Sequence, residues 1–175
     1  MDIEKLLKEY KDNKITLDDA LKKLRNLPFE NLNFASIDHH RQLRQGFPEV
    51  IYCPGKTLEQ IKKIAKSIIT QDSVLLATRA NKEVYEFIKN EIPDIEYNEL
   101  GKIIYSKKIP HYKDLDDKLV IVSAGTSDIA VAEEAFQTAN SIGFKSKKIY
   151  DVGVAGLHRL LNYKDTIDDA EVIIV

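Results

Sequence analysis

Two stretches decide the fold: LVIVSAGTSD at residues 119–128 and KIYDVGVAGLHRLL at residues 148–161. Each places a glycine-rich turn directly after a β-branched run. A glycine turn between a buried strand and a helix leaves backbone N–H groups unpaired and lets a ligand approach the main chain closely. Two such turns at the ends of consecutive parallel strands would face one crevice, which is where open α/β sheets bind ligands. The two stretches therefore predict a parallel α/β unit with a binding site at its carboxyl edge.

The remainder of the C-terminal part continues this alternation. The predicted elements are a strand at 119–123, a helix at 128–142 that ends before Gly143, a strand at 147–151, a helix at 154–161 and a strand at 171–175. Strands that alternate with helices pair in parallel through crossover connections. Three parallel strands leave bare edges and poorly covered faces, and the last predicted strand stops within an apolar run. We therefore expect a C-terminally truncated sequence whose missing part continues the same sheet.

The N-terminal part predicts a smaller α/β unit. Its apolar periodicity and turn signals predict helices at 3–10, 17–24, 58–68 and 81–91, strands at 49–52 and 73–77, and a hairpin at 95–106. Residues 107–118, KKIPHYKDLDDK, are charged, contain a proline and lack periodicity, which is typical of a linker. The predicted domains are residues 1–115 and 117–175.

Composition excludes several classes of protein. The chain has 175 residues, of which 43% are hydrophobic and 31% charged, as in ordinary globular proteins. No apolar run approaches the roughly 20 residues that span a membrane. The net charge of −2 argues against a nucleic-acid groove, which needs a basic stripe. Cys53 is the only cysteine, so no intrachain disulfide forms. We expect a cytoplasmic protein without membrane or nucleic-acid partners.

The first glycine turn carries groups that suit an anionic ligand. Gly125 can take a positive φ at the tight turn, and Ser123 stands at the strand end. Thr126 and Ser127 offer hydroxyl groups and backbone amides. Asp128 falls in the first turn of the predicted helix, where the dipole favours its carboxylate. The alternative is that Ser127 and Asp128 only cap this helix.

The second glycine turn adds a base and a cation. Asp151 opens the turn, and Gly153 and Gly156 mark positions where the backbone must pass close to another group. His158 can donate or accept a proton near neutral pH. Arg159 can hold a carboxylate or phosphate with two hydrogen bonds. The alternative is an ordinary His–Arg pair on a helix surface.

A third polar cluster, DHHRQLRQGFPE, occupies residues 38–49. Adjacent histidines diverge on a helix or strand, so His39 and His40 do not predict a zinc site. Arg41 and Arg44 are three residues apart, and one helical turn could aim both at a polyanion. The alternative is a solvated loop with local ion pairs.

Three further residues are candidates for a chemical role. Gly55 and Lys56 precede a predicted helix and could contact an anion, but they lack the rest of a nucleotide-binding P-loop. Cys53 has no histidine near it in sequence, and a small residue after a strand commonly only packs. We do not expect Cys53 to be catalytic.

Together these segments resemble LarB, the family that starts synthesis of the nickel-pincer nucleotide cofactor. The C-terminal half of that family is similar to PurE, the aminoimidazole ribonucleotide carboxylase/mutase. The resemblance covers about residues 30–65 and 117–175 and is carried by Asp38–Ile51, Gly55–Thr57, Ser123–Asp128, Glu133, Glu134 and Asp151–Leu161. PurE itself shares only the Ser-x-Ser-Asp-like turn, so the combination favours LarB.

The resemblance implies a fold and a reaction. The fold is a small N-terminal α/β domain followed by a PurE-like, Rossmann/flavodoxin-like three-layer parallel-sheet domain, incomplete in this chain. The reaction carboxylates the pyridinium ring of nicotinic acid adenine dinucleotide with CO₂ or bicarbonate and then hydrolyses the phosphoanhydride. The products are pyridinium-3,5-biscarboxylic acid mononucleotide and AMP. No tightly bound cofactor or metal ligand is expected, although a pyrophosphate substrate makes Mg²⁺ plausible. Bare sheet edges and the PurE resemblance suggest a homo-oligomer.

The resemblance also implies roles for individual residues. Asp128 or His158 would move protons. The substrate-binding residues would be Ser123, Gly125, Thr126, Ser127, Asp151, Gly153, Gly156, Arg159, Arg41 and Arg44. The nucleophilic cysteine of the family lies beyond Val175, and Cys53 does not match it, so residues 1–175 alone are expected to be inactive. The alternatives are PurE itself and a non-catalytic nucleotide-binding module of the same fold.

Overall fold

A computed structural model describes residues 3–25, 30–39, 41, 45, 47–70, 74–107 and 116–175. The chain forms two compact units, Met1–Glu49 and Val50–Val175. The first unit contains helices α1 (Ile3–Lys11) and α2 (Leu17–Arg25) and the short antiparallel strands β1 (Glu30–Asn31) and β2 (Ser36–Ile37). Thr16 caps α2 as predicted, because its Oγ1 accepts the Asp19 N–H at 3.1 Å.

The first sheet of the second unit has the strand order β3-β4-β6-β5. Its elements are β3 (Ile51–Tyr52), α3 (Leu58–Thr70), β4 (Leu76–Thr78), α4 (Lys82–Lys89), β5 (Ile95–Asn98) and β6 (Ile103–Ser106). β3 and β4 are parallel, whereas β4, β6 and β5 pair antiparallel. The predicted helices at 58–68 and 81–91 and the hairpin at 95–106 are confirmed within a few residues. Thr57 and Gln60 form the predicted capping box, with bonds of 2.9 and 3.2 Å.

The second sheet is parallel throughout and has the order β8-β7-β9. Its elements are β7 (Leu119–Val122), a 3₁₀ turn (Thr126–Asp128), α5 (Ile129–Ser141), β8 (Lys147–Ile149), a 3₁₀ turn (Val154–Gly156), α6 (Leu157–Leu161), α7 (Lys164–Asp168) and β9 (Val172–Ile174). The order 2-1-3 begins the flavodoxin-like order 2-1-3-4-5. The α/β prediction is therefore confirmed, with a parallel sheet in the C-terminal part and a mixed sheet before it.

Two predicted elements differ from the structure. The strand predicted at 147–151 ends at Ile149, because Asp151 has a φ of +58° and leaves the extended conformation. The helix predicted at 154–161 is divided into a 3₁₀ turn and α6, since Gly156 has a non-helical φ of −130° and ψ of 50°. The polar stretch that follows contains the additional helix α7.

Both sheets of the second unit pack against α5. A Cβ added to Gly101 in the β5–β6 turn would lie 3.1 Å from the Glu133 carbonyl oxygen and 3.1 Å from the Glu134 nitrogen, so only glycine fits easily. The compact units divide after Glu49, which is not the predicted domain boundary. Residues 108–115 of the predicted linker lie outside the described residues, so domains at 1–115 and 117–175 remain a prediction. Among the described residues, no helix combines the length and apolar character that a membrane crossing requires.

Candidate functional site

The two glycine turns meet at the carboxyl ends of β7 and β8. Ser123 N–H donates to the Ile149 carbonyl oxygen at 3.0 Å, which continues the pairing of these strands. Beyond it, Val152 N–H donates to the Ser123 oxygen at 3.2 Å, and Gly153 N–H donates to the Ala124 oxygen at 2.9 Å. The turns, residues 123–128 and 151–156, therefore form one continuous surface, which we call the ledge. It lies at the edge of the sheet where ligands bind in open α/β folds.

Gly153 is required by this contact. A Cβ at this position would lie 2.9 Å from the Ala124 carbonyl oxygen, which is closer than side chains approach a backbone atom. The sequence predicts a close approach at Gly153, and the structure identifies the neighbouring group as the first turn. A substrate contact with Gly153 itself remains a prediction.

Asp128 closes the first turn. Its Oδ2 accepts the Gly125 N–H at 3.0 Å, and its Oδ1 accepts the Ser127 hydroxyl at 3.2 Å. The Asp128 side chain therefore caps the 3₁₀ turn and makes no capping hydrogen bond to α5 itself, and the Gly125 amide is already hydrogen-bonded. Gly125 has a φ of −122°, so the positive φ suggested by the sequence is wrong. Thr126 is exposed beside this closed loop.

Ser123 behaves differently from its neighbours in the turn. It is only 4% exposed, and its Oγ has no hydrogen-bond partner among the described residues. It lines a cavity of about 220 Å³ together with Asp128 and apolar side chains of β7, α5 and β9, including Val131 and Ile174. An unpaired buried hydroxyl costs about 1–3 kcal/mol, so this group is ready to bond a molecule that enters the cavity.

The second turn is built around an ion pair. Arg159 Nη1 donates to Asp151 Oδ2, and each side chain is a little over 40% exposed. The guanidinium lies over Gly156, where a Cβ would come within 2.7 Å of Nη2 and 2.9 Å of Cζ. Gly156 therefore leaves space for Arg159, while Asp151 holds a backbone conformation that non-glycine residues rarely adopt.

The remaining predicted site residues are less closely associated with the ledge. His158 is exposed on α6, and it does not line the cavity beside Ser123. Arg41 belongs to the first compact unit, where its guanidinium lies 4.8 Å from the Phe47 ring centroid and 3.8 Å from a Glu49 carboxylate oxygen. Arg44 lies outside the described residues, so its proposed partnership with Arg41 remains a prediction.

Glu133, one of the residues that carry the resemblance to LarB, has no role predicted from the sequence, yet it is a buried carboxylate next to the site. Glu133 is 5% exposed and accepts hydrogen bonds from Asn98 Nδ2 at 3.0 Å, from the Tyr150 hydroxyl at 3.1 Å and from Lys148 Nζ. Burial by itself would raise the pKa of Glu133, but these three donors outweigh burial and lower it. Burial and the adjacent carboxylate of Glu133 raise the pKa of Tyr150.

A helical pattern could have revealed this carboxylate. Glu133, Gln137 and Ser141 are spaced four residues apart along α5, and all three are buried. This spacing places them on one helix face. A polar stripe on the buried face of a helix indicates hydrogen-bond partners on the elements packed against it.

Metal ligation and thiol reactivity both depend on how the described side chains are arranged. No group of three or more His, Cys, Asp or Glu residues among them is arranged to hold a metal ion. Cys53 is 5% exposed at the end of β3, and burial raises its pKa to about 11 despite the nearby Lys56. Its thiol is therefore protonated at neutral pH and is a poor nucleophile.

Comparison with known proteins agrees with the resemblance seen in the sequence. Residues 29–108 match the family described as "LarB/PurE-like N-terminal domain". The chain is also 35% identical over 163 residues to an uncharacterized protein of Methanocaldococcus jannaschii, an alignment that covers 89% of this chain and 63% of that protein. The chain thus spans less than two thirds of the length of this curated relative. Residues 29–108 therefore carry a LarB/PurE-like N-terminal domain, and this match supports the resemblance of the chain to LarB.

Proposed function

We propose that the protein is a LarB-type carboxylase that acts on nicotinic acid adenine dinucleotide. It adds CO₂ to the pyridinium ring with loss of the ring proton, and it hydrolyses the phosphoanhydride with water. The products are pyridinium-3,5-biscarboxylic acid mononucleotide and AMP. The LarB/PurE-like domain at residues 29–108 supports the family-level part of this proposal.

The observation that carries the proposal is the hydrogen-bonded contact between the two glycine turns. Through Gly153 N–H and the Ala124 oxygen, 2.9 Å apart, it brings together groups from two adjacent strand ends. Ser123 and Asp128 lie on the first turn, and the Asp151–Arg159 pair lies on the second. A dinucleotide brings phosphates and a carboxylate to such an edge, and arginine binds both of these groups well.

Each of these residues has a role in the proposal. Asp151 holds Arg159 through Nη1, and the remaining N–H groups of the guanidinium bind a phosphate or carboxylate of the substrate. The unpaired Ser123 hydroxyl donates to a carboxyl oxygen of the substrate when that group enters the cavity. Asp128 keeps the first turn closed through Gly125 and takes part in proton transfer, as does the exposed His158.

The nucleophile of the proposed reaction is a thiolate. A pyridinium ring is too electron-poor to attack CO₂, but addition of a thiolate gives a dihydropyridine, whose enamine carbon can attack. After carboxylation, loss of the ring proton and departure of the thiolate restore the aromatic ring. Cys53 is unsuited to this role because its raised pKa of about 11 keeps it a thiol. The proposal therefore assigns the thiolate to a cysteine outside these 175 residues.

The protein is further proposed to act in the cytoplasm as a homo-oligomer without a tightly bound cofactor. Mg²⁺ would assist only the hydrolysis step, through the pyrophosphate of the substrate. The single cysteine of the chain agrees with a reducing compartment.

A PurE-like activity on aminoimidazole ribonucleotide is the second candidate, since Thr126–Asp128 resembles the turn of that family. Titration calorimetry of the full-length protein with both nucleotides distinguishes the two. Tighter binding of nicotinic acid adenine dinucleotide, together with ¹³C incorporation from labelled bicarbonate into the biscarboxylic product, is the expected result. Preference for aminoimidazole ribonucleotide would assign the protein to PurE. Nucleotide binding without turnover would indicate a non-catalytic module.

A further inference from the structure

Glu133 connects the two sheets of the second unit through one buried carboxylate. Asn98 reaches it from the end of β5 in the first sheet, whereas Lys148 and Tyr150 reach it from β8 and the residue after it in the second. Lys148 and Tyr150 are two residues apart, so both side chains leave the strand on the same face. The three donors therefore converge on Glu133 from both sides of α5.

The Glu133 contacts form a rigid arrangement. Lys148 Nζ also lies 4.5 Å from the Phe136 ring centroid and 5.5 Å from the Tyr150 ring centroid, so the ammonium group is held by a carboxylate and two aromatic faces. A buried carboxylate is tolerated only when its oxygens are well hydrogen-bonded, and removal of its partners is strongly unfavourable. This arrangement therefore resists any displacement of β8 relative to α5.

Glu134, the next residue along the chain, provides an internal contrast. Its carboxylate lies 2.8 Å from Nε of Arg79, a side chain that is 53% exposed. Lys148 is also 44% exposed, so the two glutamates differ in the deeper burial of the Glu133 carboxylate and in its two further donors, Asn98 and Tyr150. Glu134 has no contact with the second turn among the interactions that the structure records. The two neighbouring glutamates thus both join α5 to the first sheet, but only Glu133 also holds the segment that leads into the site.

That segment carries the ion pair of the site. Tyr150, whose hydroxyl donates to Glu133, is followed directly by Asp151, and Asp151 binds Arg159. On the opposite side, the Ile149 oxygen accepts the Ser123 N–H at 3.0 Å. The position of Asp151 is therefore fixed between the first glycine turn and the Glu133 carboxylate. Its φ of +58° lies in the left-handed region, which aspartate adopts more readily than most non-glycine residues.

We infer that Glu133 is a positioning residue, which fixes the Asp151–Arg159 pair so that Arg159 can bind an anionic group of the substrate. Because Asn98 also bonds Glu133, the position of this pair depends on the first sheet. The inference rests on the proposed function only for the identity of the ligand. A LarB/PurE-like N-terminal domain would then contribute to the site indirectly, by supporting the segment on which Arg159 depends.

Hydrogen exchange without ligand tests the mechanical part of the inference in the full-length protein. We expect the amides of Val152 and Gly153 to exchange about tenfold faster or more in Glu133→Gln, and to exchange at the wild-type rate in Glu134→Gln. Tyr150→Phe removes a single hydroxyl group and is expected to give a smaller increase, so it serves if Glu133→Gln does not fold. Unchanged exchange in both Glu133→Gln and Tyr150→Phe would overturn the inference.

Affinity for nicotinic acid adenine dinucleotide tests the functional part. The Kd is expected to rise about tenfold to a hundredfold in Glu133→Gln, with Glu134→Gln within about twofold of wild type. In an Arg159→Met background, Glu133→Gln is expected to have no further effect, because the two residues act through one contact. Fully additive effects would contradict the inference. Wild-type protein that fails to bind the dinucleotide would contradict the proposed function instead, and the exchange result would still stand.

Discussion

The two glycine turns each follow a strand of the same sheet, yet different forces hold them. The first turn is closed locally, because Asp128 accepts hydrogen bonds from Gly125 and Ser127 within the same loop. The second turn has one internal backbone hydrogen bond, from Gly156 N–H to the Gly153 oxygen at 2.8 Å, and its other contacts come from outside the turn. It depends on Arg159 from the following helix, on the Ala124 carbonyl of the first turn and, through Tyr150, on Glu133. The first turn can therefore form from its own residues, whereas the second depends on packing.

The largest expected effect concerns the closure of the first turn. Asp128→Asn should keep the melting temperature near wild type, because the asparagine Oδ1 can still accept the Gly125 N–H that closes the turn. If Asp128 also moves a proton, turnover should fall about 10²–10⁴-fold in the full-length protein. Thermal melting and turnover measured on the same sample check this. A normal melt with near-normal turnover would leave Asp128 as a cap, and the two turns would then differ only in structure.

A pair of glycine substitutions tests the contact between the turns. Gly153→Ala places a Cβ 2.9 Å from the Ala124 oxygen, so the turns must separate, and we expect a loss of about 1–3 kcal/mol in the free energy of unfolding. Gly125→Ala is the matched control in the first turn, since its Cβ would lie 3.5 Å from Asp128 Oδ2 in an ordinary conformation. Denaturant unfolding compares the two variants. Equal losses would show that the first turn is as tightly constrained as the second.

Gly156→Ala separates ligand binding from folding in the second turn. The added Cβ would displace the Arg159 guanidinium, which is the flexible end of a side chain, so the fold should survive. We expect the affinity for an anionic nucleotide to fall about tenfold, the scale of one lost charge-assisted hydrogen bond. Calorimetry together with a melting curve checks both parts. Unchanged affinity would remove Arg159 from the proposed site.

Ser123→Ala gives the smallest expected change in stability. The Ser123 hydroxyl is buried without a partner, so its removal should leave the melting temperature unchanged or raise it slightly. The same substitution should weaken binding of any ligand that bonds this hydroxyl in the cavity. A clear fall in stability without ligand would mean that the hydroxyl has a structural partner, such as a bound water. The contrast between the two turns would then be smaller than the direct contacts suggest.

Prediction from the sequence was most successful where local rules apply. The capping pair Thr57 and Gln60 forms as expected, because it needs only residues three apart. The alternation of strands and helices after residue 119 indicated a parallel sheet, which the order β8-β7-β9 confirms. The positive φ expected at Gly125 is wrong, because the side chain of Asp128 closes that turn without it.

The candidate site shows the limit of such reasoning. Gly153 and Gly156 were recognisable as positions of close approach, but the sequence could not identify the approaching groups as Ala124 and Arg159. The partners of Glu133 come from residues 35 positions before it and 15 and 17 positions after it, so no local spacing connects them. A pattern of buried polar positions along α5 indicates only that partners exist.

The sequence by itself determined the local conformations: which residues begin helices, which runs form strands, and where glycine is needed because a Cβ would not fit. These choices depend on contacts between residues a few positions apart, whose geometry is set by the backbone. Only the tertiary structure decided that the two turns share one ledge and that the Ser123 hydroxyl stays unpaired within it. It also decided that Glu133 fixes Asp151 through the neighbouring Tyr150. Burial and long-range hydrogen bonds exist only after the sheets and α5 have packed, because packing is what excludes water from these groups.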